Sequence, residues 1–283
     1  MKAYSGAVGV IEAFHNSTIV ALPDRHQDSN SSRFRIDLIS QPEFAAAVND
    51  IIIEWGNRLY QETLDRYIGG GDVPDSELNK VWRNTTVLTG MWDSPVYPQF
   101  LLAVRMANSK LPRDHRMRVL AGDPPIDWEK INDRIAYARF GWHRDESVLS
   151  VIEKEVLARH HKALLIMGGG HLLRGVQNDG PGVVDLYEAA HLSDRIFVVG
   201  ITPIMNLELS SYPPESFFFT RGTWLEKLSS AHDRIIYDGL LTLSDGDRVR
   251  PTPSTYSDPV YIAELDRRWR LVRGEAFDPK KLP

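Results

Sequence analysis

Four short apolar runs in this chain are each followed at once by residues that can move protons or bind metal ions. TIVAL leads into Pro23-Asp24-Arg25-His26, DIII into Glu54-Trp55-Gly56-Asn57, RVLAG into Asp123, and ALLIM into Gly168-Gly169-Gly170-His171. If the runs are parallel strands, their carboxyl ends line one edge of a sheet, where ligands of open α/β folds bind. Two imidazoles among carboxylates then allow two chemistries. His26, His171 and Glu54 could ligate one divalent metal, with Mn, Fe, Co and Zn all suited to imidazole and carboxylate donors. Alternatively, a His steadied by Asp24 or Glu54 could act as a general base without a metal. The plainer reading makes Asp24 and Glu54 helix caps or ion-pair partners. Spacing alone leaves all three open.

Other segments could complete such a site. His143-Arg144-Asp145 precedes an amphipathic stretch, so Asp145 suits either its N-cap or the pocket, and Arg144 could orient carboxylates or clamp a carbonyl oxygen. Asn57, Tyr60, Trp92, Asp93, Asp123 and Trp128 sit in aromatic, acidic and Pro-rich loops that suit the walls of a substrate pocket or ordinary loop packing. His160-His161 closes a helix pattern, where imidazoles favour the dipole, and reads as structural. The three glycines before His171 fit neither G-x-x-x-x-G-K-[ST] nor G-x-G-x-x-G, and the chain has no G-x-S-x-G elbow and no H-E-x-x-H.

The elements that must hold these residues follow from periodicity. Apolar runs at 18–22, 50–54, 118–122, 162–167, 195–200 and 239–243 read as two-sided, buried, parallel strands. Residues 57–67 and 146–159 place Leu, Tyr, Val and Ile at helical spacing. The expected fold is therefore a three-layer α/β domain over residues 1–283, with a mainly parallel central sheet flanked by helices. Residues 69–117, opening on GGGDVPD, suggest a helical lid or insertion, and 203–214 and 250–259 read as connectors.

Composition narrows the partners. The chain has 283 residues, 33 basic against 38 acidic, a formal charge of −5, and no Cys. No positive field invites nucleic acid or an anionic membrane, and thiolate metal sites, iron–sulfur clusters and Cys nucleophiles are excluded. The start MKAYSGAVGVIEAF lacks a signal-peptide core, which makes the cytoplasm the expected location and a small molecule the expected partner.

Taken together, P-D-R-H, I-E-W-G-N, H-R-D and G-G-G-H, in this order, resemble the erythromycin esterase and ChaN-like superfamily, with the Tiki metalloproteases as distant relatives. The resemblance spans residues 18–245. It implies catalytic roles for Asp24, His26, Glu54, Arg144, Asp145 and His171, and hydrolysis of an ester, lactone or amide by His-activated water, with or without a metal. Lyase or isomerase chemistry by proton abstraction, and haem binding without turnover, are the alternatives it leaves. This chain departs from the family's G-E-x-H by carrying Pro23 and Asp24, a stiffer turn and a carboxylate one methylene shorter.

Overall fold

A computed structural model describes residues 2–88, 90–175, 180–192, 194–202, 209, 211–231 and 234–278. Its strands are β1 (Tyr4–Ser5), β2 (Ile19–Asp24), β3 (Asp50–Asn57), β4 (Arg118–Asp123), β5 (Ala163–Gly168), β6 (Phe197–Thr202), β7 (Ser216–Phe219), the two-residue pair β8 (Ser230–Ala231) and β9 (Arg234–Ile235), and β10 (Gly239–Thr242). Eight of them form one sheet in the order β1-β7-β10-β6-β2-β5-β3-β4. From β10 to β4 every pairing is parallel, whereas β7 pairs antiparallel with both β10 and β1. The expected α/β class is thus observed, with an antiparallel edge that periodicity did not show.

The helices are α1 (Gly6–Ala13), α2 (Ser29–Ile39), α3 (Pro42–Ala47), α4 (Gln61–Ile68), α5 (Asp75–Leu78), α6 (Lys80–Arg83), α7 (Val96–Asn108), α8 (Arg134–Gly141), α9 (Arg144–Val151), α10 (Gly169–Leu172), α11 (Val183–Ala190), α12 (Leu225–Leu228) and α13 (Pro259–Arg273). They cover both sheet faces, and the period of two decides which residue meets which layer. Val20, Leu22, Ile51, Ile53, Leu164 and Ile166 join Phe34 of α2 and Phe100 of α7 in one core. Ile19, Ala21, Ile52, Leu165 and Met167 join Val148 of α9 and Val184 of α11 in the other. Residues 69–117 accordingly include a true layer helix: α7 buries Tyr97, Phe100, Leu101 and Val104 and packs on α2 and α4.

Residues 146–159 are helical throughout, as their spacing predicts, but the winding changes: α9 widens at 152–156 and tightens at 157–159, ending on His160 with φ 56°. No described helix is long and apolar enough to cross a membrane.

Candidate active site

Parity carries Asp24 to one face of the sheet and Glu54 to the other, at the ends of β2 and β3, with β5 between them. Asp24 continues the side of Val20 and Leu22, toward α2 and α7. There the Arg35 guanidinium donates to Asp24 Oδ1, and Tyr97 Oη donates to Oδ2 at 3.4 Å. Just past the strand, His26 Nδ1 meets Asp24 Oδ2 at 3.0 Å. Burial by itself would raise the Asp24 pKa, but Arg35 and His26 together hold it at about 2. His26 is raised above its ordinary 6.5: burial opposes its charge, and the bond to Asp24 outweighs that. Its ring stands edge to face against Trp92, centroids 5.0 Å apart.

Glu54 lies on the α9 side. Its Oε1 accepts from Arg144 in the first turn of α9, and its Oε2 accepts from the backbone N–H of Gly168 at 2.6 Å. Arg144 Nε also approaches Asp123 Oδ1 at 3.4 Å, and Asp123 is held by Thr86 N and Oγ1 at 2.7 and 2.5 Å. Complete burial pushes Asp123 up to about 7 despite Arg144 and Thr86. Asp145 does not cap α9, whose N-cap is His143. It accepts instead from His171 Nδ1 at 2.9 Å and from Val183 N at 2.9 Å, tying β5's exit to α11.

The two imidazoles are therefore built alike. An ionised carboxylate only accepts, so each neutral ring carries its proton on Nδ1 and a lone pair on Nε2. His171 Nε2 lies 3.8 Å from Glu54 Oε1. A methyl group on Gly168 would stand 3.1 Å from His26 Nε2 and 3.4 Å from Glu54 Oε2. His171 Nε2 thus lies beside Glu54 Oε1, and His26 Nε2 and Glu54 Oε2 both lie against Gly168. The rings are 30% and 29% exposed, while Asp24 and Glu54 are sealed beneath them, which suits groups that meet a substrate and groups that only hold them.

All six residues expected to be catalytic come together, and Trp92 and Asp123 join them. Four others do not. Asn57 is a buried clasp, its amide donating to Asn84 O and Ile126 O and its Oδ1 accepting from Leu59 N. Asp93 anchors α13 through Tyr261 Oη at 2.7 Å and α6 through Arg83 Nε at 3.0 Å. Tyr60 and Trp128 line a separate groove of about 770 Å³ with Arg83, Tyr261 and Arg268. His161 lies at the opposite end of β3, on Asp50 at 2.9 Å.

Sequence reading missed Arg35. Its only signal is a charge on a helix stripe otherwise made by Ser31, Phe34, Leu38 and Ile39, all buried; a cation there needs a buried acid.

As for a metal, no three His, Asp or Glu side chains among the described residues gather in a group that could hold one. The donors expected for it do not fit. One Glu54 oxygen is taken by a guanidinium and the other by a backbone N–H, so a cation at His26 and His171 would compete with Arg144 for the same carboxylate.

No family model matches the chain, and no curated protein matches it. Solved structures do. A succinoglycan biosynthesis protein aligns with a TM-score of 0.56 at 11% identity, covering 83% of this chain and 90% of that one. A Bacillus cereus protein gives 0.51 at 12% identity over 84% and 91%. The type III effector HopBA1 gives 0.50 at 11% identity over 86% and 94%. At such identities the likeness is one of fold, and it extends through nearly the whole of each partner.

Proposed function

We propose that this chain is a hydrolase of ester, lactone or amide bonds in a small organic molecule, as its resemblance to the erythromycin esterases implies, and that it works without a metal. The observation that carries the reading is the pair of His–Asp dyads at the exits of β2 and β5, with His171 Nε2 3.8 Å from the Glu54 of the Glu54–Arg144 ion pair and His26 Nε2 against Gly168. His26 Nε2 takes a proton from water as the water oxygen attacks the carbonyl carbon. Asp24, ionised throughout, holds the ring in the tautomer that can accept it and stabilises the imidazolium that forms. Arg144 offers positive charge near the developing oxyanion. His171, held by Asp145 and entering the cycle protonated on both nitrogens, gives its Nε2 proton to the leaving oxygen or nitrogen as the bond between the carbonyl carbon and that atom breaks, and proton exchange with water returns His26 to its neutral form and His171 to its protonated one.

The test is hydrolysis of p-nitrophenyl esters and lactones by wild type, His26→Ala and His171→Ala, with and without a chelator. The expected result is a loss of roughly 10²- to 10⁴-fold in kcat in either variant and no effect of chelation. Turnover indifferent to His26→Ala would overturn the reading. Turnover abolished by chelation and restored by Mn, Fe, Co or Zn would replace it with a metal-dependent one.

A further inference from the structure

Two buried acids share one cation in this site. Glu54 and Asp123 lie toward the carboxyl ends of β3 and β4, which pair in parallel, and the Arg144 guanidinium of α9 reaches both. It hydrogen-bonds Glu54 through a terminal nitrogen, while its Nε, 3.4 Å from Asp123 Oδ1, is buried and makes no hydrogen bond. Asp24 has Arg35 as a buried cation of its own, whereas here one positive charge faces two carboxyl groups sealed from water. An uncompensated charge in such a place is costly, and protonation of one acid relieves it. Asp123 is the acid that lacks a hydrogen bond from the guanidinium, and its side chain, 0% exposed, is shut away from any substrate.

The groups that face Asp123 are few. Thr86 gives its Oδ2 a backbone N–H at 2.7 Å and its Oδ1 a hydroxyl at 2.5 Å. Arg144 faces it from α9, Glu54 from β3 and the Tyr137 phenol from α8. α4 meets β4 with the neutral amide of Gln61, and Arg58 and Tyr60, just before α4, open onto other cavities. Burial outweighs Arg144 and Thr86 and holds Asp123 at about 7, so both of its forms exist near neutral pH. How each partner is held decides which one moves when Asp123 ionises. The Thr86 segment is pinned from outside: Tyr137 Oη donates to Thr86 O at 3.0 Å, Trp128 Nε1 to Thr85 O at 3.0 Å, and Asn57 Nδ2 to Asn84 O at 2.6 Å. Arg144 is a long side chain, 18% exposed, with a single hydrogen bond to hold it.

We infer that Asp123 is a positioning residue that acts through Arg144: protonated, it leaves the guanidinium to Glu54 and the developing oxyanion, and ionised, it accepts a hydrogen bond from Nε and draws the guanidinium toward β4. This deepens the hydrolase reading and rests on it for the oxyanion. The answer of Arg144 to the charge of Asp123 can be followed without turnover.

The intact protein is titrated from pH 5 to 9 while NMR follows the Asp123 carboxyl carbon and the Arg144 Nε–H, assigned by their loss in Asp123→Asn and Arg144→Lys. Both signals are expected to move with one midpoint, at about 7. In Asp123→Asn the Nε–H should stop moving over this range. In Thr86→Val, which keeps the backbone N–H and removes the hydroxyl bond that favours the ionised acid, the shared midpoint should climb. An Asp123 carboxyl that does not titrate in this range, or an Nε–H that ignores its titration, overturns the inference. The second measurement is kcat/KM for a p-nitrophenyl ester in wild type and Asp123→Asn. His26 and His171 give both proteins their own limbs, so the ratio of variant to wild type isolates Asp123. It should rise about tenfold from pH 6 to 8.5, as the wild-type guanidinium is drawn away from the oxyanion. A flat ratio, with turnover that needs His26, overturns the positioning role and leaves the hydrolase intact. Signals that move together in a protein with no His26-dependent turnover overturn the hydrolase and leave Arg144 answering to Asp123.

Discussion

His26 owes its chemistry to an acid that is itself held. Asp24 alone, sealed in the sheet, would resist ionisation. The Arg35 guanidinium reverses this and keeps it charged at about 2, so it raises His26 above 6.5 instead of competing for the proton. The consequences run in opposite directions for stability and activity. The Asp24 pKa is lowered on folding, so its contribution is present above 3.8 and fades as pH falls through the window from 3.8 to about 2. The His26 pKa is raised, so its contribution is full below 6.5 and is lost as pH climbs through the folded value. A base must be unprotonated, hence kcat/KM should climb with pH along a limb centred above 6.5. Asp24→Asn removes the bond and charge that raise His26. Its limb should move to lower pH, and kcat should drop roughly 10²-fold or more as the ring loses its enforced tautomer. A pH–rate profile in which Asp24→Asn leaves the limb in place would count against Asp24 as the partner that tunes the base.

Strand ends do the assembling, and they are also what the sequence showed most plainly. The apolar runs before Asp24, Glu54, Asp123 and His171 were long and two-sided enough to mark parallel strands, so the convergence of their next residues could be read without a structure. What escaped was set by short or polar elements. β7, Ser216–Phe219, is a four-residue strand just past the connector read at 203–214 and too short to stand out, and β1 is only two residues long. Arg35 stands eleven residues beyond Asp24, in the middle of a helix, where no motif spacing reaches. Asn57, Asp93 and Trp128 had suitable chemistry, but their polar atoms are consumed by loop backbone and by α13. At the β5 exit the element makes its own prediction. Gly168 has φ −51° and ψ 135°, which alanine accepts, and a Cβ there would press on His26 and Glu54 at 3.1 to 3.4 Å. His26 is part exposed and can yield by a few tenths of an ångström. Gly168→Ala should therefore keep its Tm within a few degrees while kcat falls about tenfold or more, as expected for a small misplacement of the base. A large fall in Tm with kcat intact in the folded fraction would mean the glycine serves packing instead.

Across the whole molecule, the site end and the edge where the sheet turns antiparallel are different mechanical problems. The first needs polar groups held between layers, whereas the second needs a helix to lie close on a short, aromatic strand. β7 fills its edge with Phe217 and Phe218, both fully buried, and the room for Phe217 comes from glycines on two sides. A Cβ on Gly239 of β10 would come within 2.4 Å of the Phe217 ring, and one on Gly9 of α1 within 2.3 Å. Neither distance is tolerable, and a ring locked between helix and strand has nowhere to rotate. Gly9 lies in mid-helix, where alanine is ordinarily favoured by about 1 kcal/mol, so propensity and packing make opposite predictions for the same substitution. Packing should win: Gly9→Ala must lift α1 from the sheet or distort β7, costing about 1 to 3 kcal/mol. Denaturant unfolding should show a lower midpoint, while kcat measured well below the transition stays at the wild-type value, because α1 contributes nothing to the cluster around His26 and His171. A midpoint raised by Gly9→Ala would mean that α1 and β7 do not approach as closely as this fold requires.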